Sequence, residues 1–146
     1  AVQPRIALFG KKDYQQLMVI RRLTQQFALP IVIEAAETSR AEDGLALSSR
    51  NGYLSAAERT QATELSQALR TLAERFGDCV GPLDLLERQA LDGLATRGWQ
   101  PDYLTVRRQR DLSSPHEGDE REGAWVALGA ARLGATRLID NIEFSV

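Results

Sequence analysis

The segment Ile6-Ala7-Leu8-Phe9-Gly10-Lys11-Lys12-Asp13 decides the fold class of this chain. Its four consecutive apolar residues end at a glycine, which is typical of a buried parallel strand. Residues 14–27 carry an apolar stripe with helical spacing, and Asp13 and Gln16 occupy the positions of an N-terminal capping box. Ile31-Val32-Ile33 then predicts a second strand. The order strand, helix, strand predicts a parallel βαβ unit and hence an α/β fold.

The rest of the chain has a different organisation. Two helices are predicted, one that opens at the capping-box sequence Ser55 to Glu58 and runs to about Phe76, and one that opens at Gly81-Pro82. Three strand-like segments follow, at residues 103–108, 125–128 and 137–142. We therefore predict a small α+β unit with an antiparallel sheet and place its boundary with the βαβ unit near Asn51.

Composition narrows the possible functions. The 146 residues are 43% hydrophobic and 26% charged, which is ordinary for a globular protein, and the net charge of −2 argues against nucleic-acid binding through bulk electrostatics. No apolar stretch reaches membrane-spanning length and no signal peptide is visible. The single cysteine, Cys79, excludes an internal disulfide and fits a reducing cytosol. The single histidine, His116, lies in a predicted loop, which argues against a Ser/His/Asp triad and a His-rich metal site.

Two short loops carry groups that can bind phosphate. Gly10-Lys11-Lys12-Asp13 lies where the first strand turns into the helix, so an ammonium group stands beside free backbone N–H groups. Leu47-Ser48-Ser49-Arg50-Asn51 offers two hydroxyls and a guanidinium, and Gly44 and Gly52 on either side are predicted to let this loop open and close. Ligands of βαβ units bind at the carboxyl ends of the strands. We therefore predict a nucleotide held from two sides.

Each of these residues also has an ordinary structural interpretation. Lys12 could be an exposed lysine at a helix start, and Asp13 could cap the helix without touching a ribose. Gln16 could hold a hydroxy acid or face solvent. Arg40 could be a second cation near the phosphates or a surface charge. The Ser-Ser-Arg sequence could be a polar surface turn.

The chain resembles the pantothenate synthetase (pantoate–β-alanine ligase) family. The resemblance follows the family's order and spacing over essentially the whole sequence. The segments that carry it are Phe9-Gly10-Lys11-Lys12-Asp13-Tyr14-Gln15-Gln16-Leu17, Ile20-Arg21-Arg22, Asp43-Gly44-Leu45-Ala46-Leu47-Ser48-Ser49-Arg50-Asn51-Gly52-Tyr53-Leu54, Ala131-Arg132-Leu133-Gly134 and Thr136-Arg137-Leu138-Ile139-Asp140-Asn141.

The resemblance implies the C-terminal part of a Rossmann-like nucleotidyltransferase domain at residues 1–50 and an α+β lid domain with an antiparallel sheet at residues 51–146. It implies a cytoplasmic ligase in which ATP, with Mg²⁺, and pantoate form a pantoyl-adenylate and pyrophosphate. β-Alanine then attacks to give pantothenate and AMP. The family's His-x-Gly-His motif is not among these 146 residues, so the chain looks like the C-terminal half of a homodimeric enzyme and is expected to lack turnover alone.

The resemblance also implies roles for individual residues and no protein ligand for a metal. Lys12 would contact phosphate, Gly10 and Asp13 would contact the ribose, and Gln16 would hold pantoate. The implied catalytic residues are Lys12, Ser48, Ser49 and Arg50. The implied ATP-binding residues are Gly10, Lys11, Lys12, Asp13, Ser39, Leu47, Ser48, Ser49 and Arg50.

Four positions depart from the family pattern. Lys11 adds a positive charge near the phosphates, and Ala36-Glu37 and Ser39 stand on the adenine side. Two alternatives to the ligase remain at this point: a non-catalytic nucleotide-binding lid module, and another adenylate-forming ligase.

Overall fold

The structure, a computed structural model, describes residues 3–115 and 121–146. Within these ranges the fold is mixed α/β, and the chain forms two compact units, Ala1–Ser39 and Arg40–Val146. His116 lies outside the described residues, so its predicted loop position stays a prediction.

The first unit is a small βαβ arrangement. Strand β1 (Ile6–Gly10) is followed by a 3-10 turn (Lys11–Asp13), helix α1 (Tyr14–Gln26) and strand β2 (Val32–Ala36). The two strands are parallel, with Ile6 opposite Val32 and Gly10 opposite Ala36. The predicted parallel βαβ unit is therefore confirmed.

The capping box predicted at the start of α1 is wrong. Asp13 has φ −93° and ψ 61°, and its side chain makes no capping hydrogen bond. An N-cap residue needs an extended backbone for its side-chain oxygen to reach the N–H groups of the first turn. The 3-10 turn at residues 11–13 denies Asp13 that conformation, so the helix begins without a side-chain cap.

The apolar side chains of the first unit divide into two sets. Tyr14, Leu17 and Met18 on α1 are buried. In contrast, Ile6 and Leu8 on β1 are 56% and 66% exposed, and neighbouring side chains on β2 and α1 are exposed as well. Surface apolar residues gathered in this way form a patch larger than single scattered ones.

The second unit contains three helices. They are α2 (Ala56–Gln61), α3 (Thr63–Gly77) and α4 (Leu83–Ala95). The capping box at Ser55 is confirmed, because the Ser55 hydroxyl accepts from the Glu58 N–H and the Glu58 carboxylate accepts from the Ser55 N–H. The single helix predicted to Phe76 is instead two helices. At the junction, the Thr63 hydroxyl donates to the carbonyl of Thr60, and side-chain bonds of this kind compete with the helical ladder.

Three strands complete the second unit. Strands β3 (Gln100–Arg108), β4 (Ala124–Leu133) and β5 (Thr136–Ser145) form an antiparallel sheet in the order β3-β4-β5. The predicted antiparallel sheet is confirmed. Helix α3 lies close to the central strand, since a methyl group added at Gly129 would stand 3.1 Å from the Leu69 side chain.

The core of this unit lies between the helices and the sheet. Trp125 is fully buried, and its ring meets that of Phe76 edge to face with 5.1 Å between the ring centres. The other side chains of the core with less than 2% exposure include Leu69, Leu94, Leu104 and Val106. Because β5 is part of this core, packing holds the strand in place.

The units divide at residues 39 and 40, whereas the sequence pattern places the domain boundary at residues 50 and 51. The difference has a physical cause. Arg40 bonds to Asp140 on β5, and Asp43 bonds to Arg59 on α2. Residues 40–50 therefore belong with the α+β unit by their contacts.

Replacement of Gly134 by alanine is expected to destabilise the second unit by roughly 1–3 kcal/mol. Gly134 has φ +55° in the two-residue turn between β4 and β5, and an added methyl group would meet the Glu58 carboxylate of the capping box. Urea unfolding measures the loss. Gly93→Ala is the matched control, because Gly93 lies in α4 with open space at its Cα, and there alanine should stabilise by about 0.5–1 kcal/mol. Equal effects of the two substitutions would contradict the prediction.

Candidate functional site

The first predicted phosphate loop lies at the carboxyl edge of the parallel strand pair. Gly10 ends β1 in an extended conformation, with φ −72° and ψ 136°, and it is paired with Ala36 at the end of β2. Residues 11–13 and 37–39 therefore leave the sheet at the same edge, where βαβ units bind ligands. The structure brings Gly10 to Asp13 and Ser39 to one edge of the first unit.

Lys11 is already paired at this edge. Its ammonium donates to the Glu37 carboxylate at 2.5 Å, with the Lys11 side chain 19% exposed and that of Glu37 82% exposed. A phosphate group would have to compete with this carboxylate for Lys11. Because Glu37 is well solvated, an ion pair of this kind holds only weakly, on the order of 0–1 kcal/mol.

The remaining predicted residues of the first unit differ in exposure. Lys12 is half-buried, whereas Asp13, Gln16 and Ser39 are exposed. Gln16 lies on the first turn of α1. Exposed polar groups at a strand edge are accessible to a ligand. Their roles in binding ATP and pantoate stay predictions.

The second predicted loop has a defined conformation at its tip. Ser48 is extended, with φ −156° and ψ 149°, and a 3-10 turn (Ser49–Tyr53) follows it. The Ser48 hydroxyl accepts a hydrogen bond from the Arg50 N–H at 3.2 Å, and the Ser48 carbonyl accepts one from the Asn51 N–H at 3.1 Å. A hydroxyl that accepts one bond can still donate its own proton, so Ser48 can donate to a phosphate oxygen.

Arg50 is the accessible cation of this loop. It is exposed, and within residues 3–115 and 121–146 its guanidinium makes no hydrogen bond or ion pair. Ser49 beside it is also exposed, and Leu47 is 52% exposed. A guanidinium without a protein partner is free to take a bidentate phosphate contact.

The base of the loop, residues 40–46, is bonded to β5, which corrects the interpretation of Arg40. Arg40 donates to both carboxylate oxygens of Asp140, at 2.8 and 2.9 Å, and to the carbonyls of Gly44 and Asn141. It is therefore neither a free surface charge nor a spare cation for phosphate. Gly44 has a φ of +88° in a turn closed by the bond from its N–H to the Ala41 carbonyl, and its role in opening and closing the loop stays a prediction.

Asn51 belongs to this arrangement as well. Its side-chain N–H donates to the Ala46 carbonyl at 3.1 Å. Among the described residues, its Oδ1 is the only buried side-chain oxygen or nitrogen without a hydrogen-bond partner. Buried polar atoms are almost always paired, with protein groups or with water, so this oxygen has the capacity to accept one more hydrogen bond.

Sequence reasoning did not predict the side-chain contacts of four residues that shape these loops. They are Glu37, Arg59, Asp140 and Asn51, whose side-chain contacts hold Lys11, Asp43, Arg40 and Ala46. Asp140 and Asn51 stand in segments that carry the family resemblance, which was the only available signal. The predicted residues themselves fall into two groups, with Gly10 to Asp13, Gln16 and Ser39 in the first unit and Leu47 to Arg50 in the second.

The same described residues contain neither a metal cluster nor a membrane-spanning helix. In this part of the chain, no group of three or more His, Cys, Asp or Glu side chains could hold a metal ion. No helix there is both long enough and apolar enough to cross a membrane.

The carboxylate of Asp43 should make the loop base sensitive to acid. The hydrogen bond from the Arg59 side chain, and then that from the Leu45 N–H, hold the pKa of Asp43 below its ordinary value of 3.8. A lowered pKa in the folded state stabilises the fold above the ordinary value, and this contribution disappears as the pH falls through the folded pKa. We expect Asp43→Asn to be less stable than the parent chain near neutral pH, and the difference to shrink below about pH 4.

Urea unfolding midpoints at a series of pH values measure this effect. Asp92→Asn, at an exposed position on α4, is the control and should show no such convergence. A difference between Asp43→Asn and the parent chain that stays constant down to about pH 2.5 would contradict the assignment.

Comparison with known proteins identifies the family. A sequence model described as Pantoate-beta-alanine ligase matches residues 1–143. The chain belongs to this family. The resemblance to this family over essentially the whole chain is thereby confirmed.

Curated members of the pantoate-beta-alanine ligase family are highly similar in sequence. The pantothenate synthetase of Verminephrobacter eiseniae is 63% identical over 138 residues, which cover 94% of this chain and 49% of that protein. The pantothenate synthetase of Paracidovorax citrulli is 63% identical over 139 residues, with 94% and 49% covered. The chain thus spans about half the length of the curated relatives it matches.

Solved structures of pantoate-beta-alanine ligases share the fold. Pantothenate synthetase from Thermus thermophilus superposes with a TM-score of 0.83 at 37% identity, covering 97% of this chain and 50% of that one. Pantoate-beta-alanine ligase from Francisella tularensis, solved as a complex with beta-gamma ATP and beta-alanine, gives a TM-score of 0.64 at 26% identity, covering 96% and 44%.

Proposed function

We propose that this chain forms part of an enzyme that joins pantoate to β-alanine with cleavage of ATP to AMP and pyrophosphate. The observation that carries the proposal is the family match over residues 1–143. The structure of a relative with a nucleotide and β-alanine bound supports the same substrates here. The accessible side chains of Ser48, Ser49 and Arg50 have the chemistry that such a nucleotide requires.

The proposed reaction has two steps. An oxygen of the pantoate carboxylate attacks the α-phosphorus of ATP, the bond from that phosphorus to the bridging oxygen breaks, and pyrophosphate leaves with the electron pair. The product is a pantoyl-adenylate, a mixed anhydride. The amine of β-alanine then attacks its acyl carbon, AMP leaves, and the amine loses a proton to give pantothenate. The protein has to orient the two substrates and stabilise the charge that develops on pyrophosphate.

We assign that stabilisation to the tip of the second loop. The Arg50 guanidinium and the Ser48 and Ser49 hydroxyls bind phosphate oxygens, and Leu47 contacts the nucleotide. Because charge accumulates on the leaving group, such donors contribute most in the transition state. The Arg50 guanidinium is suited to this role since it makes no hydrogen bond or ion pair within the described residues.

The first unit supplies the other proposed contacts. Lys12 binds phosphate and Gly10 and Asp13 bind the ribose, while Gln16 orients pantoate. Ser39 contacts the adenine through its backbone. Lys11 can bind phosphate with an N–H that does not point at Glu37, and the Glu37 carboxylate offsets part of its charge.

Magnesium fits as part of the substrate. Mg²⁺ keeps several waters and is commonly held by substrate phosphates with one or two protein carboxylates. Mg-ATP is therefore the proposed form of the nucleotide. The ion would neutralise phosphate charge.

We propose that the chain alone does not turn over and that the active enzyme is a cytoplasmic homodimer. A chimera tests the function, in which this chain replaces the matching segment of the Verminephrobacter eiseniae pantothenate synthetase. The chimera should form pantothenate and AMP in equal amounts from pantoate, β-alanine and Mg-ATP. The 146-residue chain alone should form neither.

Partial reactions distinguish the alternatives. Pantoate-dependent exchange of pyrophosphate into ATP without β-alanine is expected from an adenylate intermediate, and its absence in an active chimera would exclude that intermediate. A folded chimera that forms no pantothenate would contradict the proposed function. Exchange that responds to another carboxylic acid in place of pantoate would favour a different adenylate-forming ligase.

A further inference from the structure

We propose that Arg40 is a positioning residue that holds the second phosphate loop in its binding conformation before any ligand arrives. The inference rests on the proposed function of Ser48 to Arg50 and deepens it. Arg40 itself contacts no ligand in this proposal. It acts through the loop base, residues 40–46, which it fastens to β5.

The fastening uses both terminal nitrogens of the Arg40 guanidinium. One donates to the Gly44 carbonyl and to one oxygen of Asp140, and the other donates to the second oxygen of Asp140 and to the Asn141 carbonyl. The Asp140 side chain is 4% exposed and that of Arg40 is 21% exposed. A planar fork makes four such bonds at once, whereas the ammonium of a lysine cannot reproduce this geometry.

The loop base transmits this order to the tip. Arg40 pairs with Ala46 in an antiparallel bridge, and the Ala46 carbonyl accepts from the Asn51 side chain. The Asn51 N–H in turn donates to the Ser48 carbonyl. The hydrogen bond of the bridge runs from the Ala41 N–H to the Leu45 carbonyl. Side-chain bonds and this backbone pairing therefore connect Asp140 on β5 to Ser48. Leu45 and Ala46 are both buried, so the base has little room to move.

A held loop binds phosphate better than a mobile one. Ordering a loop on binding costs conformational entropy, and a loop that is ordered beforehand avoids that cost. The same order keeps the donors aimed at the leaving pyrophosphate, where misplacement reduces their effect. In this proposal Arg40 keeps the tip in one conformation although Leu47, Ser49 and Arg50 are exposed.

A titration of the full 146-residue chain with inorganic pyrophosphate, followed by amide NMR shifts, tests the inference. In the parent chain, saturable shifts are expected at residues 47–51. Arg40→Lys keeps the charge but loses the fork, and it should weaken pyrophosphate binding by at least about tenfold, which corresponds to ~1.4 kcal/mol.

Arg137→Lys is the matched control. Arg137 lies on the same strand as Asp140, and its partner Asp102 lies on β3, away from the loop. This substitution should change the pyrophosphate affinity by less than about twofold. A second variant, Asn51→Ala, removes the bond to Ala46 without touching the buried ion pair and should weaken binding in the same direction as Arg40→Lys.

Three outcomes would overturn the inference. Arg40→Lys and Asn51→Ala could both bind pyrophosphate as the control does. The parent chain could show no saturable shifts at residues 47–51, which would mean that the loop is not preformed. If Arg40→Lys unfolds, Asn51→Ala decides alone, and normal binding by it overturns the inference. The proposed function is judged separately by pantothenate formation in the chimera.

Discussion

Replacement of Arg50 by alanine is expected to lower kcat for pantothenate formation by about 100-fold. The Arg50 side chain is exposed, and its guanidinium makes no hydrogen bond or ion pair within the described residues, so the substitution should weaken ligand interactions rather than the fold. Because pyrophosphate gains charge as it leaves, the effect on kcat should exceed the effect on KM for ATP. The measurement is steady-state kinetics of the chimera with and without the substitution.

Arg70→Ala provides the control for lost surface charge. Arg70 is an exposed arginine on α3, and its replacement should leave kcat unchanged. The stability of Arg50→Ala should stay within about 0.5 kcal/mol of the parent, as for other surface substitutions. A kcat for Arg50→Ala within about threefold of the parent would remove Arg50 from the catalytic residues, whatever the family assignment.

The elements of the fold could be predicted where their signals are local. The β1 apolar run and the Ser55 capping box depend on neighbouring residues, and both appear as predicted. The capping box at Asp13 has the right residue types but the wrong backbone, because the 3-10 turn before α1 sets ψ to 61°. Residue type alone does not determine whether a side chain can reach the first turn of a helix.

The candidate site shows the same limit at longer range. The types of Ser48, Ser49 and Arg50 indicate phosphate binding from sequence, since hydroxyls and a guanidinium occur together in a loop. The partner of Arg40 is Asp140, which is 100 residues away in the chain. No local pattern predicts that pairing, so sequence reasoning left Arg40 as either a ligand cation or a surface charge.

The Lys11–Glu37 pair illustrates a further limit. Both residues depart from the family pattern, and from sequence the charge of Lys11 counts as an addition to the phosphate site. The parallel register places Gly10 opposite Ala36, and the residues after them then meet at 2.5 Å. The two departures therefore compensate each other in charge, which only the strand register could reveal.

Removal of one partner of the Arg40–Asp140 pair is expected to destabilise the chain strongly, by about 3–5 kcal/mol for Arg40→Ala. The Asp140 side chain is 4% exposed in the intact pair, and this substitution takes away its guanidinium partner, which leaves a largely buried charge uncompensated at high cost. The double variant Arg40→Ala, Asp140→Ala leaves no such charge. It should therefore be more stable than Arg40→Ala alone, with a coupling energy of at least about 1 kcal/mol in urea unfolding.

The Asp102–Arg137 pair supplies the comparison, since both of its side chains are 39% exposed and their N···O distance is 2.6 Å. Solvent screens a pair of this exposure, so its coupling energy should stay below about 1 kcal/mol. The two pairs have similar N···O distances but differ in exposure, so a difference in coupling energy between them would come from burial. If the double-mutant cycle of Arg40 and Asp140 gave no larger coupling energy than that of Asp102 and Arg137, we would infer that water reaches the buried pair. The loop base would then be held by the buried side chains of Leu45 and Ala46 rather than by Arg40.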